Sequence, residues 1–270
     1  MADQRDYRIA SVDRALTVLE RLAERPDQGV TEIARELGMT KSIVFRILQT
    51  LEARGFVSRN AERSVYGLGY RVAVLGERAG HRHSLLLAAR EEMDALSEET
   101  SENINLLVRD GNQILVLATR EGRHSMRLFA AAGRYGPLHA GGGSLLLLAF
   151  APPELREEIL AGTLTRFTDA TMTEPDVLRH ILQRIRDQGW NIAKNDLDEG
   201  AFSVAAPIST TPGEVIAALS IAGPLARLND NRQAMYLTAV RGAAQRISAK
   251  LSIGGPAEPA PAVSAEPTNA

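Results

Sequence analysis

Residues 30–57, VTEIARELGMTKSIVFRILQTLEARGFV, constrain this chain more than any other stretch. Apolar residues recur at helical spacing on both sides of Gly38: Ile33, Ala34 and Leu37 before it, Val44, Ile47, Leu48 and Leu51 after it. Thr31 and Thr40 stand where N-caps belong, and Gly38 and Gly55 stand where the two helices must stop. A short helix, a glycine turn and a longer helix make a helix-turn-helix. Upstream, Val12, Ala15, Leu16, Leu19 and Leu22 predict an amphipathic helix over 11–25, capped by Ser11 and broken by Pro26 and Gly29. Downstream, FVSRNAERSVYGL reads as two short strands around the polar turn NAERS, which adds a wing.

The third helix holds out a polar face. With its apolar stripe turned inward, Ser42, Arg46 and Gln49 fall on the opposite side at about 100° per residue, and Lys41 lies beside them in the first turn. Arg, Ser and Gln are side chains that bond base edges and phosphates in a major groove. A solvated surface helix would show the same pattern. The glycine turn before the helix and the wing arginines Arg59 and Arg63, placed to touch phosphates, favour double-stranded DNA. The candidate contacts are Thr40, Lys41, Ser42, Phe45, Arg46 and Gln49 on the third helix, with Arg59 and Arg63 on the wing. Charge adds little, since the chain carries a net −2, with +2 on residues 1–75 and −4 on the remainder.

Length and composition bound the rest. A chain of 270 residues, 44% of them hydrophobic, has enough apolar mass for two domains. No apolar run is long enough to span a bilayer, and the opening MADQRDYRIASVDR lacks the apolar stretch of a signal peptide. There is no cysteine, which excludes disulfides and thiolate metal sites. These features predict a soluble cytoplasmic protein, with no membrane partner and no cofactor.

Residues 69–83 read as a linker helix, interrupted at Gly76 and Gly80, and the next helix carries Leu85, Leu86, Ala89, Met93 and Leu96 inward. The second domain opens with alternating runs, NINLLVRD and QILVLATR, around Asp110-Gly111-Asn112, and MRLFAAAG predicts a third strand. Helices are expected near 143–150, 153–161 and 175–189, strands near 203–209 and 214–221 around Thr211-Pro212-Gly213, and a last helix over about 230–251. The fold class is therefore α+β, with an antiparallel sheet in the second domain. The tail over 253–270, rich in Pro and Ala, has almost nothing to bury and is expected to be disordered.

The segments SVDRALTVLERLAE, VTEIARELGMTKSIVFRILQTLEARGFV and YGLGYRVAVLG resemble the DNA-binding domain of IclR-type transcriptional regulators. Further on, GPLHAGGGSLLLLA, VLRHILQRIRDQGW, VAAPI and IAALSIAGPLARL resemble that family's C-terminal effector domain. The resemblance covers roughly residues 9–252 in consistent order. It implies a winged helix over 9–68, a linker helix over 69–83 and a GAF-like effector domain over 84–252. It also implies a homodimer or homotetramer on a roughly two-fold operator.

Carried over residue by residue, the resemblance places a small effector, an organic acid or an aromatic compound, among Leu128, Gly136, Gly142, Gly143, Ala201, Ser203, Ser220 and Ala222, with His139 and Ser144 from the PLHAGGGS run. Departures concern this site: Ser144-Leu145 replaces Gly-Lys, Ser203 replaces a cysteine, and Asn195-Asp196 stands where acidic residues are usual. Small side chains at Gly142, Gly143 and Ala222 leave volume, and the Ser203 and Ser220 hydroxyls are suited to orient a polar head. The three glycines can instead serve a tight turn and helix entry.

The competing reading is a catalytic or sensory GAF-like protein with an accessory helix-turn-helix, and a third is an adaptor that binds protein through the same helix. The stretch His139-Ala140-Gly141-Gly142-Gly143-Ser144 is similar to the His-Gly-Gly-Gly run that forms an oxyanion hole in esterases, with Ser144 as the imaginable nucleophile, but no G-x-S-x-G elbow occurs in the chain. His81-x-His83 lacks further metal ligands. The acidic cluster of Asp196, Asp198 and Glu199 is most simply a loop before a buried strand.

Overall fold

A computed structural model describes residues 9–82, 84–124, 131–211 and 213–253, and the chain divides into two compact units, 1–82 and 83–270. The strand expected over MRLFAAAG lies largely outside the described residues, as do Leu128, His83, Pro212 of the turn at 211–213 and the tail from 254 onward.

The first unit runs α1 (Ala10–Glu24), α2 (Val30–Glu36), α3 (Lys41–Ala53), β1 (Val57–Asn60), β2 (Val65–Leu68) and α4 (Tyr70–Arg82). Its core is Val18, Leu22, Ile33, Ala34, Val44, Leu48, Val57 and Tyr66. The outer part of the stripe expected on α1 is not core: Val12 and Leu16 are 52% and 53% exposed. Leu22 is buried and Leu19 packs against the core as expected, and Val18, roughly a third of a turn from Val12 at ~100° per residue, is buried with them. Two of the three caps differ as well. Ile9 precedes α1 and Gly29 precedes α2, neither with a side-chain bond, so Ser11 and Thr31 lie inside their helices. Thr40 does cap α3, its hydroxyl accepting the Ile43 N–H at 3.4 Å.

Gln28 adds a bridge to β2 through Tyr66, with backbone bonds of 3.3 and 2.9 Å, and its buried amide donates to Glu36 at 3.0 Å. Glu36 also takes Arg21, tying α1, α2 and the wing together. The start of α4 is pinned to the end of α3. A side chain on Gly69 would overlap the Gly55 carbonyl, and the Gly69 and Arg71 N–H groups donate to Phe56 and Gly55 at 2.8 and 3.2 Å. From there α4 continues through Gly76 and Gly80 to Arg82. The interruption expected at these glycines is absent, because each disfavours a helix by only about 1 kcal/mol.

The second unit holds a six-stranded sheet in the order β5-β4-β3-β8-β7-β6, every neighbouring pair antiparallel. Its strands are β3 (Asn103–Asp110), β4 (Gln113–Arg120), β5 (Tyr135–Pro137), β6 (Asn191–Lys194), β7 (Ala201–Thr211) and β8 (Glu214–Pro224). Its helices are α5 (Ser84–Thr100), α6 (Gly142–Ala149), α7 (Pro153–Ala161), α8 (Pro175–Gln188) and α9 (Asp230–Ile253). Alternation divides the sheet's side chains between two cores. Ile104, Leu106, Val204, Leu219 and Ile221 pack with Met93 of α5 and Val240 and Ile247 of α9. Leu107, Ala205 and Ala218 pack on the other side with Leu146 and Leu148 of α6 and Leu182 and Ile185 of α8. Every residue of α6 is buried, which explains a helix apolar all round. Below the sheet's end, the buried Glu102 carboxylate takes both arms of Arg227 and the Tyr236 hydroxyl. Among the described residues no helix is long and apolar enough to cross a membrane.

Candidate DNA interface and effector cavity

The exposed side of α3 carries Lys41, Ser42, Phe45, Arg46 and Gln49, just past Thr40. Ser42 and Gln49 stand near the middle of that side. Arg46 stands at its edge, where it also lines a groove between α1 and α3 with Val12, Leu16 and Ile47. On the wing, the Arg59 guanidinium lies 5.9 Å from the Tyr66 ring centre. Arg63 occupies the turn, its N–H donating to Asn60 at 3.1 Å and its guanidinium 3.9 Å from Asp27. That pair is exposed and contributes at most about 1 kcal/mol, so a phosphate can displace Asp27 at little cost.

In the second unit a cavity of ≈ 360 Å³ opens at the N-terminus of α6. Of the expected effector residues, Gly136, Gly142, Gly143, Ser144, Ala201, Ser203, Ser220 and Ala222 line it. Its floor comes from adjacent strands, since Asn105 is paired with Ser220 and Ser203 with Ala222. Asn105 Oδ1 accepts the Thr119 hydroxyl at 3.0 Å. Leu107, Ile114, Val116, Pro137, Phe167 and Leu197 make the apolar walls.

Two expectations about this site are corrected. His139 is not on the cavity wall; its Nε2 is 2.9 Å from the Thr165 carbonyl oxygen and its ring lies 5.6 Å from that of Phe167, which does line the cavity. His139 therefore supports the wall from behind, and it is bonded away from Ser144. Gly142 and Gly143 border the cavity, but their lack of side chains is not volume left for a ligand. A Cβ on Gly142 would come 2.7 Å from the Ser203 carbonyl oxygen, and one on Gly143 would overlap Leu107. They are small because α6 presses its first turn onto the sheet. Gly141, at φ +98°, makes the turn that allows it.

Asp196 joins the site from the loop after β6. Its Oδ2 accepts the Gly141 N–H at 2.7 Å, so this carboxylate caps α6 from outside the helix. Burial pushes its pKa above the usual carboxylate value, against the lowering effect of the bonds from Gly141 and Leu197, and Asp198 adds repulsion. The loop carrying Phe167 is clasped to the same place. The Thr171 hydroxyl accepts the Phe167 and Thr168 N–H groups at 3.0 and 2.9 Å and donates to the Asp196 carbonyl at 2.6 Å. Asp196 and Asp198 thus face the cavity, while among the described residues no group of three His, Asp or Glu side chains is arranged for a metal. Asn105 was legible in principle, because Asn103 and Asn105 put two amides on one face at the buried end of β3. Phe167 carried no local signal.

A winged helix with an exposed, positively flanked third helix, joined to a domain with a partly apolar cavity, defines a ligand-responsive DNA-binding transcription regulator. Comparison with known proteins places it more closely. Residues 78–249 match the family model for the bacterial transcriptional regulator IclR C-terminal domain, and residues 11–61 match that for the IclR helix-turn-helix domain. The chain is 31% identical over 250 residues to the HTH-type transcriptional regulator KdgR of Escherichia coli (strain K12), covering 92% of this chain and 95% of the relative. It is 34% identical over 241 residues to the regulator BhcR of Paracoccus denitrificans (strain Pd 1222), covering 89% and 86%. Among solved structures, an IclR homologue from Microbacterium hydrocarbonoxydans complexed with 4-hydroxybenzoate has a TM-score of 0.76 at 28% identity, covering 88% of this chain and 99% of that one. The chain belongs to the IclR family of bacterial transcriptional regulators.

Proposed function

We propose that this regulator acts as a homodimer or homotetramer on a roughly two-fold operator, and that its effector is a small organic acid, aromatic in its body, held in the cavity at α6. Residues 9–68 serve as the DNA-binding domain, 69–83 as the linker and 84–252 as the effector domain. Ser42, Gln49 and Arg46 read base edges, while Lys41, Arg59 and Arg63 hold phosphates. The observation that carries the effector reading is the chemistry of the cavity's two ends. Asp196 takes the Gly141 N–H, so an anionic head is left to the Ser203 and Ser220 hydroxyls and the following N–H groups of the first turn of α6. Ile114, Val116, Pro137 and Phe167 suit a flat apolar body. A relative seen with 4-hydroxybenzoate supports the same class of ligand.

The dimer reading is supported by apolar side chains with no cover in their own unit: Tyr70 on α4 is 77% exposed, with Val74 and Leu75 beside it. A catalytic reading is disfavoured, since relatives over nearly the whole chain are named as regulators and His139 is bonded away from Ser144. The deciding experiment is titration calorimetry of the full chain with benzoate, 4-hydroxybenzoate, pyruvate and an uncharged analogue, benzamide. The aromatic acids should bind and benzamide should bind at least tenfold more weakly. Equal affinity for benzoate and benzamide would remove the anionic head from the account.

A further inference from the structure

The exposed side of α3 carries one large side chain that cannot hydrogen-bond to anything. Phe45 is 42% exposed in the second turn of the helix. It is not among the residues that form or flank the first unit's apolar core. Nor does it line the groove between α1 and α3, where the neighbouring Ile43, Arg46 and Ile47 all contribute. It has Lys41 four residues before it and Gln49 four residues after it, a single row along the helix, with Ser42 and Arg46 in the next row. A phenyl ring placed between a cation and an amide on a groove-facing helix has one apolar group to meet there, the 5-methyl of thymine.

We propose that Phe45 is a specificity-determining residue that contacts a thymine methyl in each half-site of the operator. The inference rests on α3 being the helix that enters the major groove. The row itself limits how far that entry goes. Glu52, seven residues after Phe45, returns to the same side of α3 as an exposed carboxylate. Phosphates repel it, so base contact ends before Glu52, within the stretch that carries Lys41, Ser42, Phe45 and Gln49. Lys41 fixes the helix against the backbone, Ser42 and Gln49 accept or donate to base edges, and Phe45 reports the one feature that distinguishes thymine from cytosine by contact alone.

The test starts from random DNA sequence. Full-length protein selects duplexes from a random library, and each thymine of the enriched duplex is replaced in turn by deoxyuridine, which removes only the methyl. At one position per half-site the replacement should weaken binding about fourfold in fluorescence anisotropy, and at both half-sites together about fifteenfold, the effect of a methyl-sized apolar contact. Phe45→Ala should bind the thymine and uridine duplexes equally, and Phe45→Leu should keep part of the preference. Uridine tolerated at every position by the wild-type protein overturns the proposal alone, as does a folded Phe45→Ala protein that still discriminates. A library from which nothing is enriched, or Lys41→Ala and Arg46→Ala variants that bind like wild type, overturns the groove-helix reading and the proposal with it.

Discussion

At the residue scale, Gly142 and Gly143 show how one pattern admits two physical causes. Three glycines before an apolar helix fit both a ligand chamber and a close helix-sheet contact, and the positions of Ser203 and Leu107 decide for the second. Gly143→Leu should therefore destabilise the effector domain, because the new side chain must push Leu107 aside, and lower the melting temperature by several degrees in circular dichroism; overpacking of this kind costs about 1–3 kcal/mol. A variant with unchanged melting would return the space to a ligand. Ser203→Ala is the gentler probe and should weaken an anionic effector by about 1 kcal/mol through one lost hydrogen bond, read by calorimetry. Asp196 gives a pH dependence. Burial holds its folded pKa above the unfolded one, so the folded state binds the proton more tightly. The stability this provides is complete below the unfolded pKa and is lost as pH rises through the folded value. Asp196→Asn should flatten that loss in melting scans as the pH rises above the ordinary carboxylate range, and an unaltered slope would assign the dependence to another group.

At the element scale, legibility followed length and periodicity. The eight-residue strands β3 and β4 matched their expected bounds because NINLLVRD and QILVLATR begin and end at polar turns. β5 and β6, of three and four residues at the sheet's edges, were missed, since so few positions cannot establish a period. Only the edge of the core side of α1 was misplaced, because Val12, Leu16, Val18, Leu19 and Leu22 form a broad apolar band that the domain buries at Val18 and Leu22 and leaves exposed at Val12 and Leu16. Among the residues that line the cavity, the strand positions Ser203, Ser220 and Ala222 were legible through the family resemblance. Asp196 was visible only as a departure from the family pattern and as part of an acidic loop, and Phe167 not at all, because loops bring them there through the Thr171 and Gly141 bonds. The exposed apolar part of α4 leads to a prediction of its own. Val74→Asp with Leu75→Asp should leave the second unit folded and shift the chain toward monomer in light scattering. An unchanged mass would show that α4 does not join subunits.

At the scale of the whole molecule, two units with separate cores must act as one device. The DNA-binding unit has its own buried residues, including Val18, Leu22, Val44 and Leu48, so residues 1–82 should fold alone. That fragment should nevertheless bind operator far more weakly than the full chain, because the proposed dimer engages its second half-site at high effective concentration. Raising salt should weaken both, more steeply for the full chain, which covers more phosphates. The central claim is that occupancy of the cavity and affinity for the operator are coupled. A ligand can shift such an equilibrium only by its differential affinity for the two states, and the coupling must be reciprocal. The direct measurement is operator affinity by fluorescence anisotropy with and without saturating aromatic acid, paired with affinity for the acid by calorimetry with and without operator. The account predicts that both affinities change by the same factor, of roughly 5- to 150-fold. An acid that binds the cavity and leaves operator affinity unchanged would contradict it.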